Sequence, residues 1–241
     1  MLIIVTKNYN ELSKRAAELV ADDILKKPNM VLGLPTGETP VGMYKLLVKN
    51  YKNKKINFSK ITCFNLDEYY PIKKENKNSY YSYMHKNFFD SVNVKSSNIN
   101  ILDSESKTPK KDCLAYEKKI KKTPLDLQIL GVGINGHIGF NEPGSKKSSK
   151  TRVIDLTLDT RKRNSRFFKN KSEVPTHALS MGISTILGAK KLILLANGKN
   201  KAEAIKHLVE GKPSCDWPVS FLRAHKNLVV ILDKEAAGLL F

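Results

Sequence analysis

The sequence predicts an α/β fold: a single-domain, Rossmann-like open sheet, mostly parallel, with helices on both faces. Three observations predict it. Short apolar runs of strand length alternate along the chain with stretches whose apolar residues recur at helical spacing. The 41% of hydrophobic residues are spread over 241 positions, which suits one sizeable core over residues 1–241 and leaves little chain for a second full domain. The apolar run 127–132 passes through Gly131 and Gly133 into a polar loop, and open α/β sheets place functional groups there, outside the carboxyl ends of their strands.

The elements follow in order. Residues 2–5 form the first strand. Residues 12–25 set Leu12, Ala16, Leu19, Val20 and Ile24 on one helical face, with Asn10 as N-cap and Pro28 beyond the end. Residues 30–34 form the next strand, and 40–49 the helix that follows its glycine loop. A strand over 61–66 ends at Asp67, and an aromatic-rich helix covers 79–89. A short strand at 99–102 precedes a helix at 113–120, whose end carries Lys121 and Lys122, cations that suit the helix dipole. After the central strand, 161–168 and 175–187 read as helices, 192–196 as a strand, 201–209 as a helix and 228–232 as the last strand. No internal repeat is visible, and 145–174 is the least sheet-like stretch.

Composition excludes several classes. No apolar run approaches the roughly 20 residues of a membrane span, and residues 1–5 are too short for the apolar part of a signal peptide. A cytoplasmic location is the expectation. Cys63, Cys113 and Cys215 have no metal-type spacing and read as reduced thiols. The net charge of +19 comes from lysine clusters scattered over loops and helix faces, without an arginine-rich helix or an interleaved aromatic platform. Solvated faces are therefore expected rather than a nucleic-acid surface. The positive field attracts anionic small molecules, and salt weakens that attraction.

Three places carry chemistry. Gly33 and Gly37 bracket a loop, with Pro35, Thr36, Glu38 and Thr39, that opens a helix near Pro40, so the amides of 36–39 can face an anion at a helix N-terminus. The same residues also make an ordinary strand-to-helix turn. Neither a dinucleotide fingerprint nor a P-loop is present, and no organic cofactor or metal is expected. Asp67 and Glu68 stand together at a strand end, where acids can equally be solvated. His137 and Glu142 share the loop after the central strand, where a lone Gly-His pair can equally be a tight turn whose imidazole bonds backbone.

The run Asp126-Leu127-Gln128-Ile129-Leu130-Gly131-Val132-Gly133-Ile134-Asn135-Gly136-His137-Ile138-Gly139-Phe140-Asn141-Glu142-Pro143-Gly144-Ser145 resembles the signature of the glucosamine-6-phosphate deaminase (isomerase) family. Further blocks resemble that family in its order: 32–40, 64–69, 79–84, 164–168, 178–182, 201–204 and 220–225. The resemblance spans nearly the whole chain from about residue 30. It implies conversion of glucosamine 6-phosphate and water into fructose 6-phosphate and ammonia, with an amino-sugar phosphate as partner, and it leaves an oligomer possible.

The resemblance also implies roles. The loop at Gly33 to Thr39 takes the phosphate, with Arg166 and Lys201 as its cations, which from the residues alone would read as surface charge. A planar guanidinium and a point charge suit a dianion. Asp67 is the base that moves a proton from C2 to C1 through an enediol-like intermediate. His137 serves ring opening, and Glu142 orients and supports the imidazole. Residues 145–174 form a lid.

Two departures from the family stand out. Asn135 occupies a position where many members have aspartate, and an amide orients a histidine without stabilising its cation by charge. Some members bind an allosteric sugar phosphate around 151–155; here Arg152 is kept, Ile154 replaces a lysine and Asp155 adds a negative charge, so that control is not expected. The sequence ends at Phe241, without those members' longer tail. Competing readings are a galactosamine-6-phosphate isomerase, a 6-phosphogluconolactonase-like enzyme, and a non-catalytic sugar-phosphate sensor. The lactonase loop lacks the Gly-Phe-Asn-Glu-Pro of 139–143, and the sensor has no need of Asp67, His137 and Glu142 together.

Overall fold

In a computed structural model, residues 1–170 and 173–240 are described, apart from the side chains of Asp159, Arg163, Asn164 and Phe167. Lys171 and Ser172, within the expected lid, and the terminal Phe241 lie outside the described residues. The chain runs β1 (Leu2–Thr6), α1 (Tyr9–Lys26), β2 (Val31–Leu34), α2 (Val41–Lys52), β3 (Thr62–Asn65), β4 (Asp67–Tyr70), α3 (Tyr80–Asn87), β5 (Ile99–Asn100), α4 (Pro109–Lys122), β6 (Leu127–Gly131) and β7 (Arg152–Asp155). It continues through α5 (Leu158–Asn164), β8 (His177–Ser180), α6 (Ile183–Leu187), β9 (Leu192–Ala196), α7 (Ala202–Val209) and β10 (Leu228–Asp233).

Seven strands make one sheet in the order β1-β10-β9-β6-β2-β3-β5, every neighbouring pair parallel. Parallel strands need both faces covered, and β2, β9 and β10 are buried along their whole length. Alternate residues feed two cores. Leu32, Leu34, Ile129, Ile193 and Ile231 pack under α1, α2 and α3. Leu130, Leu192, Leu194, Val230 and Leu232 pack under α4, α6 and α7. Each such side chain taken out of water contributes about 1.5–3 kcal/mol. Among the described residues no helix is long and apolar enough to cross a membrane.

The sheet order places the crevice. From β2 the chain moves outward to β3 and β5, and from β6 it moves the other way to β9 and β10. The crossovers diverge between β2 and β6, so the carboxyl ends of these two central strands bound an open cleft.

Several sequence expectations need correction. The N-cap of α1 is Asn8 rather than Asn10: its side chain accepts from Glu11 N. The strand expected to end at Asp67 stops at Asn65, and Asp67 begins a separate strand, β4. Residues 175–187 are not one helix. His177–Ser180 is the central strand of a second, antiparallel sheet, β4-β8-β7, with α6 only after it. The expected lid stretch is not free of strands either, because β7 pairs with β8. The middle strand, His177–Ser180, has no β-branched or aromatic strand former and is held because its two partners satisfy its backbone. Residues 156–176 leave and re-enter this small sheet, and Phe168, Leu156 and Val174 pack there with Tyr69 and Phe140 in a third core.

Candidate active site

Four loops at the carboxyl edge of adjacent strands β9, β6, β2 and β3 bound the cleft. Gly33 ends within β2, and the loop from Pro35 to Thr39 leads to α2, whose cap residue Pro40 offers no side-chain bond. Among the described residues the backbone N–H groups of Thr36, Gly37, Glu38 and Thr39 donate to no protein acceptor. Free amides before a helix N-terminus make an anion site. Thr39 Oγ1 donates to Asn197 Oδ1 at 2.7 Å, which ties this loop to the one after β9. Lys201 lies on that second loop, at the last position of the 3-10 turn Lys199–Lys201. Arg166 reaches the first loop from the opposite side, its guanidinium 3.4 Å from Glu38 Oε1 in an exposed pair.

Leu66 N donates to Leu34 O at 3.1 Å, so Asp67 starts β4 directly beside the root of the anion loop. Neighbouring strand residues face opposite sides. Glu68 turns inward, fully buried, and its carboxylate accepts from Tyr69 N, Tyr80 N and Tyr81 N, each at 2.8 Å, thereby capping α3. Asp67 is only 6% exposed, yet its carboxylate accepts no hydrogen bond among the described residues. Buried carboxylates are ordinarily paired, and one that is not needs a reason. Burial first, and then the charge of Glu68, raise Asp67 to about 8. Burial also lifts Glu68, against its three backbone donors.

The loop after β6 carries the second group. Asn135 Nδ2 donates to Glu142 Oε2 at 2.6 Å, and Asn135 Oδ1 lies 2.6 Å from His137 Nδ1. An ionised carboxylate only accepts, so the amide nitrogen must face Glu142 and its oxygen must face the imidazole. That fixes the proton on Nδ1 and leaves Nε2 as the basic atom of the neutral ring. His137 Nδ1 is 3.6 Å from Glu142 Oε1, beyond hydrogen-bond range, so their direct attraction is Coulombic. Burial would raise Glu142; His137, with the hydroxyl of Thr160 at 2.6 Å and Asn135, outweighs it and lowers the acid to about 2. The ring lies so close over Gly133 that a β-carbon there would come within 2.1 Å of its Cε1.

The two acids are joined through β8. Ser180 pairs with Asp67 in the small sheet, and its Oγ accepts from Phe140 N of the histidine loop at 3.1 Å. Both ends of that loop are clasped by another segment: Val219 N donates to Gly136 O, and Gly144 N to Cys215 O, each at 2.8 Å. Trp217 lies between these contacts, with Cε3 2.7 Å from where a β-carbon of Gly136 would be. Among the described residues no three His, Cys, Asp or Glu side chains are grouped to hold a metal ion.

The structure thus brings Asn135, His137 and Glu142 together on one loop, links that loop through Ser180 to Asp67, and sets Asp67 at the root of the loop from Gly33 through Pro35, Thr36, Gly37, Glu38 and Thr39. Arg166 touches that loop, and Lys201 stands on its neighbour. Sequence reasoning missed Thr160, Ser180 and Trp217, whose parts depend on contacts across the chain, and it named Glu68 beside Asp67 without its bonds to α3. Arg152 donates to Asn141 Oδ1 at 2.9 Å beside a cavity of about 480 Å³ that Ile154 and Asp155 also line.

The family model described as glucosamine-6-phosphate isomerases/6-phosphogluconolactonase matches residues 6–231. The chain belongs to this family. Within it, a protein of Alkaliphilus oremlandii named glucosamine-6-phosphate deaminase is 54% identical over 241 residues, covering 100% of both chains. One of the same name from Clostridium novyi is 54% identical over 239 residues, covering 99% of each. Among solved structures, a monomeric glucosamine-6-phosphate deaminase superposes with a TM-score of 0.96 at 42% identity, over 99% of this chain and 100% of that one. The 6-phosphogluconolactonase from Trypanosoma cruzi superposes with a TM-score of 0.79 at 22% identity, over 98% of this chain and 96% of that one, which shows the shared fold of the isomerase/lactonase family.

Proposed function

We propose that this chain is a glucosamine-6-phosphate deaminase, a single unit over residues 1–241 with 145–174 as its lid. In this reading it converts glucosamine 6-phosphate and water to fructose 6-phosphate and ammonia. The observation that carries the reading is the buried carboxylate of Asp67, unpaired among the described residues, at the edge of a cleft that also holds an amide-lined loop and a histidine with a fixed tautomer. Relatives of that name at about half identity over the full chain support it.

The substrate phosphate docks on the amides of 36–39, with Arg166 and Lys201 neutralising its charge. This anchors the sugar with its reactive end toward Asp67 and His137. His137 Nε2 takes the C1 hydroxyl proton and returns one to the ring oxygen, opening the pyranose. Glu142 stabilises the transient imidazolium across 3.6 Å, and Asn135 keeps the ring oriented. Ionised Asp67 then removes the proton from C2 and delivers it to C1 through the enediol-like intermediate, while the C1 oxygen gains a proton and the amine gives one up, so that the aldehyde becomes a hydroxyl and the amine an imine. The resulting C2 imine takes up water and releases ammonia, leaving the ketose.

The test is a pair of assays on the purified protein, following ammonia and fructose 6-phosphate from glucosamine 6-phosphate and, separately, the release of ammonia from its galacto epimer. Stoichiometric ammonia and fructose 6-phosphate from the gluco substrate, with a much lower kcat/KM on the epimer, is the expected outcome. Preference for the epimer would make the chain a galactosamine-6-phosphate isomerase. Hydrolysis of 6-phosphogluconolactone without deamination, or binding without turnover, would overturn the assignment altogether.

A further inference from the structure

Three tyrosines, each on a different helix, hold the loop after β2 by its carbonyl oxygens. Tyr44 OH, from α2, donates to Pro35 O at 2.6 Å. Tyr83 OH, from α3, donates to Gly37 O at 2.5 Å. Tyr9 OH, from the first turn of α1, lies 3.2 Å from Glu38 O and 3.1 Å from Thr39 O, and it accepts from Gly42 N at 2.9 Å. Four successive or near-successive carbonyls are engaged in this way. A trans peptide unit is planar, and its C=O and N–H point in opposite directions. The oxygen of Pro35 shares its unit with Thr36 N, that of Gly37 with Glu38 N, and that of Glu38 with Thr39 N. Drawing each oxygen toward a tyrosine therefore turns the following N–H the other way. Those are three of the four amides that find no protein acceptor among the described residues.

We infer that Tyr9, Tyr44 and Tyr83 are positioning residues that preset the backbone amides of Thr36, Glu38 and Thr39 for a phosphate group. The inference rests on the reading that this loop receives the substrate's phosphate. The rings have packing of their own: Tyr44 packs against Phe88 with centroids 5.2 Å apart and planes tilted by 32°. The hydroxyls, by contrast, contact the loop. Burial keeps Tyr44 and Tyr83 protonated, so both remain donors. The arrangement leaves the loop without a side-chain cation of its own and places its selectivity for anions in the backbone.

The experiment compares the wild type with Tyr9→Phe, Tyr44→Phe and Tyr83→Phe, each of which removes one oxygen and keeps the ring. Inorganic phosphate binding is measured by calorimetry, and KM and kcat are measured for glucosamine 6-phosphate. Loss of one hydroxyl raises the phosphate Kd and the KM in parallel, roughly five- to tenfold, while kcat changes less than KM. A merely structural role would lower the melting temperature and kcat and leave phosphate affinity alone. Tyr44 is fully buried, so Tyr9→Phe and Tyr83→Phe, at half-buried positions, decide the matter if Tyr44→Phe fails to fold. Wild type that binds phosphate, with variants that bind it equally well, overturns the inference and leaves the functional reading intact. Wild type that neither binds phosphate nor distinguishes glucosamine from its 6-phosphate overturns both.

Discussion

The loops after β2 and β6 flank the same crevice and are built on opposite plans. The first offers backbone: its carbonyls are tied to tyrosines, its amides are left over, and its glutamate is exposed in a pair with Arg166. The second offers side chains, each held by the next, from Thr160 to Glu142 to Asn135 to His137. Holding an anion needs fixed dipoles that never change charge. Moving protons needs groups whose environments differ, and Asp67 at about 8 and Glu142 at about 2 are two carboxyl groups driven apart by theirs.

The sharpest way to break this contrast is Asp67→Asn. It removes the proposed base and keeps the amide loop, so turnover should fall by at least ~10²-fold while KM changes little. Steady-state kinetics on the variant decide it, and near-normal turnover would end the assignment. The opposite class of change is Arg166→Ala or Lys201→Ala. Each should raise KM by roughly tenfold and flatten its dependence on salt, with a smaller effect on kcat. An unchanged salt slope in both variants would place the phosphate elsewhere.

A smaller effect separates the two acids by pH. As the proposed base Asp67 must lose its proton to act, so the acid limb of kcat/KM should rise toward about 8 rather than near 4. Stability runs the other way. Between the ordinary carboxylate range and about 8, the folded state holds a proton that the unfolded state has released, so Asp67 favours folding at low pH and this advantage is lost as pH rises. Asp67→Asn is free of that loss. Its melting temperature should pull ahead of the wild type from about pH 4 to about pH 8 and then stay level; parallel curves would show that Asp67 is ionised throughout. The smallest expected effect is none. With Ile154 and Asp155 beside Arg152, saturation should be hyperbolic, with a Hill coefficient of about one, and N-acetylglucosamine 6-phosphate should not shift it. A sigmoidal curve made hyperbolic by that compound would reveal a control site.

The seven-stranded sheet was legible because its strands are apolar runs that need no partner to be recognised, as in Leu192–Ala196. The small sheet was not. His177–Ser180 has no β-branched residue, and it is a strand only because Asp67–Tyr70 and Arg152–Asp155 lie on either side of it. The cap of α1 had a local signal that was overlooked: Glu11 stands three residues after Asn8 and reaches back to Lys7 N at 3.0 Å. The candidate site was legible where its residues share a short motif, as at 135–142. Thr160 hydrogen-bonds Glu142 from 18 positions away, and Tyr9 reaches Glu38 across 29, pairings that no spacing in the sequence announces.

Trp217 is the single tryptophan in the chain. One face of its indole stacks on the imidazole of His207, with centroids 4.0 Å apart and planes 13° from parallel, and its edge meets Gly136, one residue before His137. The protein therefore contains its own optical probe, placed at the loop after β6, the proposed site of ring opening, rather than on the amide loop after β2. Excited at the red edge of the protein's absorption, it is the only fluorophore that responds, and its emission follows the histidine loop without any added label. Inorganic phosphate and the whole substrate then become distinguishable by colour as well as by affinity.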